Sequence, residues 1–237
     1  MVIEDMRNTG VMGQPEEWFV PWTPTKTDID WAEAFAGVLR RAAGPDGRAA
    51  IKVMANQLDP VNACLSDVMT SSRPGLFPVF AEAFADWAWI RLTRKDVVSQ
   101  AISRVMSRQT GINHATGDAG EIHFAGNLQR GYDPDYNSRT TYRYQAILEE
   151  VHAIVLENLA WDRFFESHAI TPTTLGYEEI AVDHEMTHLD RIAQTAGIDP
   201  AFPRQRRTLV KLANARNEDW RDAFFTDAAA RNFRMGT

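Results

Sequence analysis

Apolar residues recur along most of the chain at the spacing of amphipathic helices, and no segment alternates convincingly with period two. The stretch "DIDWAEAFAGVLRRAAG" predicts a helix with Asp28 or Asp30 near its N-cap and Gly44-Pro45 as its stop. "RAAIKVMANQLDPVNACLSDVMTSS" predicts a second, disturbed at Asp59-Pro60. "VFAEAFADWAWIRL" is apolar on nearly every side and reads as a buried helix that "KDVVSQAISRVMSRQ" can continue. "GINHATGDAGEIHFAGNLQ" keeps helical spacing despite four glycines, and "RGYDPDYNSRT" is a turn-rich connection. Two long helices follow, over about 140–168 and 172–196, separated by "AITPT", with Thr171 as N-cap and Pro172 in the first turn. A last helical region spans about 204–233. These patterns predict an all-α chain. Residues 1–28, with three prolines and two tryptophans in "GQPEEWFVPWTPTKTD", predict an arm; residues 29–237 predict a single helical domain.

Composition narrows the class. A chain of 237 residues, 44% hydrophobic and 24% charged, fills one domain well. Its one cysteine, Cys64, excludes a disulfide framework or a cysteine-based zinc site and fits a reducing cytoplasm. A net charge of −7 argues against nucleic-acid partners. No apolar run approaches the ~18 residues of a membrane span, and "MVIEDMRNTG" has no signal-peptide core. The expectation is a soluble cytoplasmic protein.

The chemistry-bearing stretch is "EEIAVDHEMTHLDRIAQ", residues 178–194, which has two frames. "HEMTH" (His184 to His188) matches H-E-x-x-H of zinc peptidases, whereas "EMTH" is E-x-x-H, half of a di-iron carboxylate site. On a helix over 172–196 the apolar stripe is Leu175, Val182, Met186, Leu189, Ala193 and Ala196. Glu185 falls inside it and His188 at its border, while His184 points to the opposite side, so the zinc frame is disfavoured. The preceding helix carries a second copy, "EEVH". There His152 lies in the stripe Leu148, Val151, Val155, Leu159 and Glu149 at its edge, with Glu150 and Glu157 projecting outward. Residues three apart share a helix face, so Glu149 with His152 and Glu185 with His188 could each meet a metal ion. An ordinary Glu–His ion pair on each helix is the plainer alternative.

Over about 78–199 the chain resembles the ferritin-like di-iron proteins, in particular hydroxylase subunits of bacterial multicomponent monooxygenases. The resemblance rests on "YRYQAILEEVHAIVLENLAWDRFF", the connection "AITPT" and "VDHEMTHLDRIAQTAGIDP". It implies a ferritin-like helical bundle, core about 76–199, with additional N- and C-terminal helices. It also implies two irons, with Glu82, Glu149 (or Glu150), Glu185 and His188 as ligands and Glu121 as another choice for the first half of the site. The E-x-x-H spacing adds His152, an extra relative to the family, whose corresponding helix supplies a single Glu. "GEIHFAGN" departs from the family pattern, with Phe124 where a histidine ligand belongs. The implied function is a di-iron monooxygenase component using dioxygen to oxidise a small organic substrate, assembled with other hydroxylase subunits. A metal-free scaffold subunit of such an enzyme is the second reading, and a zinc peptidase the last.

Overall fold

The computed structural model describes residues 1–121 and 123–235. Along them run α1 (Val2–Asn8), α2 (Trp31–Ala42), α3 (Ala55–Leu65), α4 (Pro78–Ala83), β1 (Ile90–Thr93), α5 (Val97–Thr110), β2 (His114–Thr116) and β3 (Leu128–Gln129). The order continues with α6 (Tyr144–Ser167), β4 (Thr173–Gly176), α7 (Tyr177–Val182), α8 (His188–Ala196), β5 (Leu209–Val210) and α9 (Ala215–Met235). The protein is therefore mixed α/β, which corrects the expectation of an all-α, ferritin-like bundle. β1 and β4 pair in parallel, Ile90 opposite Thr173 and Thr93 opposite Gly176. β2 lies between β3, parallel to it, and β5, antiparallel.

The chain forms two compact units. The first takes Met1–Thr93 with Glu157–Gln205. Its larger core centres on Phe19, Leu58, Phe80, Phe84 and Phe164, and a second cluster gathers Leu175, Ile180, Leu189 and Ile192 behind β4. The second unit takes Arg94–Leu156 with residues from Arg206 onward, built on Ile102, Met106, Ile147, Ile154, Trp220 and Phe224. Among the described residues no helix is long and apolar enough to cross a membrane.

Where local signals were strong, the elements match them. Asp30 caps α2, its carboxylate accepting the amides of Ala32 and Glu33 at 3.0 Å each. α6 nearly coincides with the expected helix over about 140–168, whereas α3 runs unbroken over Ala55–Leu65 with Pro60 inside it, where the sequence predicts a disturbance. Three further expectations fail for physical reasons. The apolar run after Pro78 is helical only to Ala83; beyond it Phe84, Trp87 and Trp89 fill the core from irregular chain, with Phe84–Trp87 centroids 5.0 Å apart and Trp89–Phe164 5.4 Å. The described residues of the glycine-rich stretch over 111–129 carry β2 and β3, not a helix. The expected helix over 172–196 opens as strand β4 and is then cut into α7 and α8.

That cut is the work of Asp183. Its Oδ1 accepts the amide of Glu185 at 3.0 Å, and its Oδ2 accepts the amide and hydroxyl of Thr187 at 2.6 and 2.8 Å. A short side chain that captures backbone amides in this way competes with the helical ladder. Met186 meanwhile turns into the left-handed region at φ 56°. Partial burial raises the Asp183 carboxyl, but the Thr187 and Glu185 bonds and the nearby His188 outweigh it and hold it below its usual value.

Candidate functional site

The first unit presents a built polar site around Gly13. This glycine has φ +72°, and a Cβ there would stand 2.6 Å from the Ala50 amide nitrogen and 3.0 Å from the Ala42 carbonyl oxygen. Only glycine lets the loop press so closely. The Gln14 amide donates to Ala42 O at 2.7 Å and the Lys52 amide to Glu16 O at 3.0 Å, so residues 14–17 lie along the 42–52 chain. The result sets Lys52 Nζ 2.6 Å from Glu17 Oε1, with 36% and 37% of the two side chains exposed. Glu16 turns instead to Arg7 of α1. Trp18 donates its indole N–H to Gln14 O at 3.0 Å and lies under the Arg41 guanidinium, 5.4 Å from the ring centroid. Chemically this is a solvent-reachable carboxylate beside an ammonium. The first can take a proton from a bound hydroxyl and the second can stabilise negative charge that develops nearby.

The second unit offers an anion-attracting corner. Arg94 and Lys95 lead into α5, whose cap is Asp96. The Asp96 carboxylate accepts the Ser99 amide at 2.9 Å and the Ser99 hydroxyl at 2.8 Å, and Arg221 of α9 approaches it to 3.3 Å. Burial raises this carboxyl, but the Ser99 bonds and the charges of Arg221 and Arg94 outweigh it, leaving it below its ordinary value. Two guanidinium groups, Arg221 and Arg94, acting on one carboxylate at a helix start leave net positive charge for a phosphate or sulfate.

The residues proposed as iron ligands occupy other settings. Glu82, on α4, is ion-paired with Arg73 at 2.6 Å. Glu149 is exposed on α6 and accepts Gln145 Nε2 at 3.3 Å; His152 is exposed one turn on. Glu185 is exposed in the turn that interrupts the helix, so the E-x-x-H spacing there does not describe one helix face. His188 is buried at the start of α8, with Nε2 3.0 Å from Asp5 Oδ2 and Nδ1 3.7 Å from Asp183 Oδ2. Glu149 and His152 belong to the second unit, Glu82, Glu185 and His188 to the first. Glu121 accepts the Asp118 amide at 3.2 Å within the irregular 117–121 segment. The apolar face assigned to α6 is also reversed. Val155 and Leu159 are 43% and 42% exposed, while Glu150 is buried against Arg108 and 3.7 Å from Arg104. Among the described residues no three His, Cys, Asp or Glu side chains are arranged to hold a metal ion.

Comparison with known proteins places the class. The model of the Stf0 sulphotransferase family matches residues 1–227, and the chain belongs to that family. It is similar to a trehalose 2-sulfotransferase from Mycobacterium tuberculosis (strain ATCC 35801 / TMC 107 / Erdman), 25% identical over 242 aligned residues that cover 93% of this chain and 82% of the relative. These findings overturn the ferritin-like di-iron reading together with the oxidoreductase function, the two irons, dioxygen and the hydroxylase-subunit partners. The scaffold-subunit and zinc-peptidase alternatives fall with it. The 1–28 region that carries Gly13 and Glu17 lacks periodicity, so hydrophobic patterning does not single these residues out. A signal was nevertheless present in "IRLTRKDVVSQ", where a short β-prone run meets two cations and then a D-x-x-S cap.

Proposed function

We propose that the protein transfers a sulfuryl group from 3′-phosphoadenosine 5′-phosphosulfate (PAPS) to a hydroxyl of a sugar, with trehalose and related saccharides as the first acceptors to test. Membership of the sulphotransferase family over residues 1–227 is the observation that carries the reading, and the trehalose-sulfating relative supports the acceptor class. PAPS supplies an electrophilic sulfur on a phosphate leaving group. As the acceptor oxygen bonds to that sulfur, the sulfur–oxygen bond to the donor phosphate breaks, leaving a sulfate ester and adenosine 3′,5′-bisphosphate.

This chain's residues suit those demands. Glu17, anchored by Lys52 at 2.6 Å, is the group we assign to remove the proton from the attacking hydroxyl. Lys52 orients that carboxylate through the 2.6 Å contact, and its ammonium favours the extra negative charge of the transition state. The donor's phosphates match the charge that Arg94 and Arg221 gather around Asp96 in the second unit. A cytoplasmic setting, where thiols stay reduced, suits the buried, unbridged Cys64. The test is release of adenosine 3′,5′-bisphosphate from PAPS by the purified protein with and without trehalose, alongside a panel of mono- and disaccharides, with the sulfated product identified by mass spectrometry. Sugar-dependent release supports the assignment; donor turnover that no sugar stimulates rejects the acceptor class, and failure to bind PAPS rejects the reaction.

A further inference from the structure

The buried carboxylates of α1 call for an explanation. α1 has only seven residues, and Glu4 and Asp5 on it are 2% and 1% exposed. Burying a carboxylate is costly unless a partner compensates it. Asp5 meets His188, whose Nε2 stands 3.0 Å from Oδ2, with the two side chains 0% and 3% exposed. The imidazole is the first residue of α8, and its Nδ1 faces Asp183, 3.7 Å away, in the turn that separates α7 from α8. Two residues past Asp5, Arg7 leaves the same helix to pair with Glu16. Glu16 in turn accepts the Lys52 amide and precedes Glu17. A continuous set of polar contacts thus runs from Asp183 through His188 and Asp5 to α1, and from α1 through Arg7 to the loop holding Glu17.

We propose that His188 is a positioning residue for Glu17, acting through Asp5, α1 and the Arg7–Glu16 pair; the catalytic part of this rests on the reading of Glu17 as base. The side chain in question is one that motif spacing offers to a metal ion. Its surroundings give it a different task, to fix a short helix that has no side-chain N-cap bond of its own. Short helices are marginal without such tertiary anchors. Loss of the anchor lets α1 shift, and misplacement of a reacting group by about 1 Å costs on the order of 10²-fold in rate.

The reach of two polar substitutions separates positioning from plain stability. His188→Gln places its side-chain nitrogen where Nε2 lies and keeps the Asp5 contact; His188→Asn reaches only the Nδ1 position, toward Asp183. The expected result is that His188→Asn lowers kcat about 10- to 100-fold with KM for PAPS unchanged, and that His188→Gln restores most of kcat. Hydrogen exchange over residues 2–10 should quicken in His188→Asn and return toward wild type in His188→Gln. Equal kcat in the two variants, at matched Tm, overturns the proposal, as does unchanged exchange over residues 2–10. Arg7→Ala in each background completes the test: non-additive losses with His188→Asn support transmission through α1, and additive losses reject it. Glu17→Gln run in parallel keeps the questions apart. If that variant turns over normally, the base assignment fails while the exchange data still decide whether His188 anchors α1.

Discussion

Glu17 and Lys52 make the sharpest claim at the scale of single residues, because their energetic and chemical roles separate. Both side chains are more than a third exposed, and ion pairs so exposed contribute about 0–1 kcal/mol to folding. Removing the carboxylate charge therefore leaves stability nearly untouched. The loss of a general base costs roughly 10²- to 10⁴-fold in rate. Glu17→Gln is expected to lower kcat for sugar-dependent turnover by at least about 10²-fold, with Tm within a few degrees of wild type and donor affinity retained. A variant that keeps more than a third of wild-type kcat removes Glu17 from the mechanism. Gly13 gives an independent check on the same loop. A methyl group there would stand 2.6 Å from the Ala50 amide nitrogen, and the backbone would also be held at a φ that β-carbons resist. Gly13→Ala should lower kcat and Tm together, whereas Glu17→Gln lowers kcat alone. Neither Glu17 nor Lys52 is singled out by a motif or a period, because what joins them is a contact between residues 35 positions apart. His188 stood out as a candidate ligand, yet nothing near it in the chain points to Asp5.

Elements were legible in proportion to how local their determinants are. Asp30 capping α2 and the long run of α6 follow from short-range signals, and both are present. β1 and β4 were missed because four residues are too short to display a period, and each strand makes sense only beside the other. The break between α7 and α8 escaped because periodicity counts apolar positions and is blind to an aspartate that accepts backbone amides. That turn carries a pH prediction whose sign follows from the lowered Asp183 carboxyl. A group more acidic in the folded than in the unfolded state contributes stability that is complete above its ordinary value of 3.8 and is lost as pH falls through the lower folded value. Asp183→Asn should then cost about 1 kcal/mol at neutral pH, the usual scale of a lost cap. The Tm curves of variant and wild type should converge only as pH falls below the lowered folded value of the Asp183 carboxyl, where both side chains are uncharged. Coincident curves at every pH would show the amide serving as well as the carboxylate, and parallel separated curves a loss independent of charge; either outcome rejects the charged carboxylate as what holds the turn. Tyr142 has the opposite sign. Burial first, and then the bond to Asp227 at 3.0 Å, push its phenol up to about 12. Its contribution should be whole below pH 10 and lost as pH rises toward 12, which Tyr142→Phe should abolish in an alkaline melting series.

At the scale of the whole molecule the chain carries a net charge of −7, while the proposed donor is itself a polyanion. Net charge argues against nucleic acid as a ligand, yet the same argument does not extend to one nucleotide, because a local cluster can reverse the field of the surface around it. Arg94 and Arg221 about Asp96 are such a cluster. Two opposing terms then govern donor binding. The general repulsion acts over distance and is largely screened beyond a Debye length of ~8 Å at physiological salt. Direct guanidinium–phosphate bonds act at contact, where each is worth about 1.5–3 kcal/mol, or roughly 10- to 100-fold in affinity. Removing both arginines deletes the contact term and leaves the repulsion. Titration of adenosine 3′,5′-bisphosphate by calorimetry should thus show affinity falling as salt rises for the wild-type protein. In Arg94→Ala/Arg221→Ala, affinity should be at least about 10-fold weaker and the salt dependence flat or reversed. The reversal is the discriminating feature. A structural collapse of the second unit would weaken binding at every salt concentration without changing the sign of its slope, whereas loss of the anchor alone leaves a folded protein whose remaining charge repels the ligand until salt screens it.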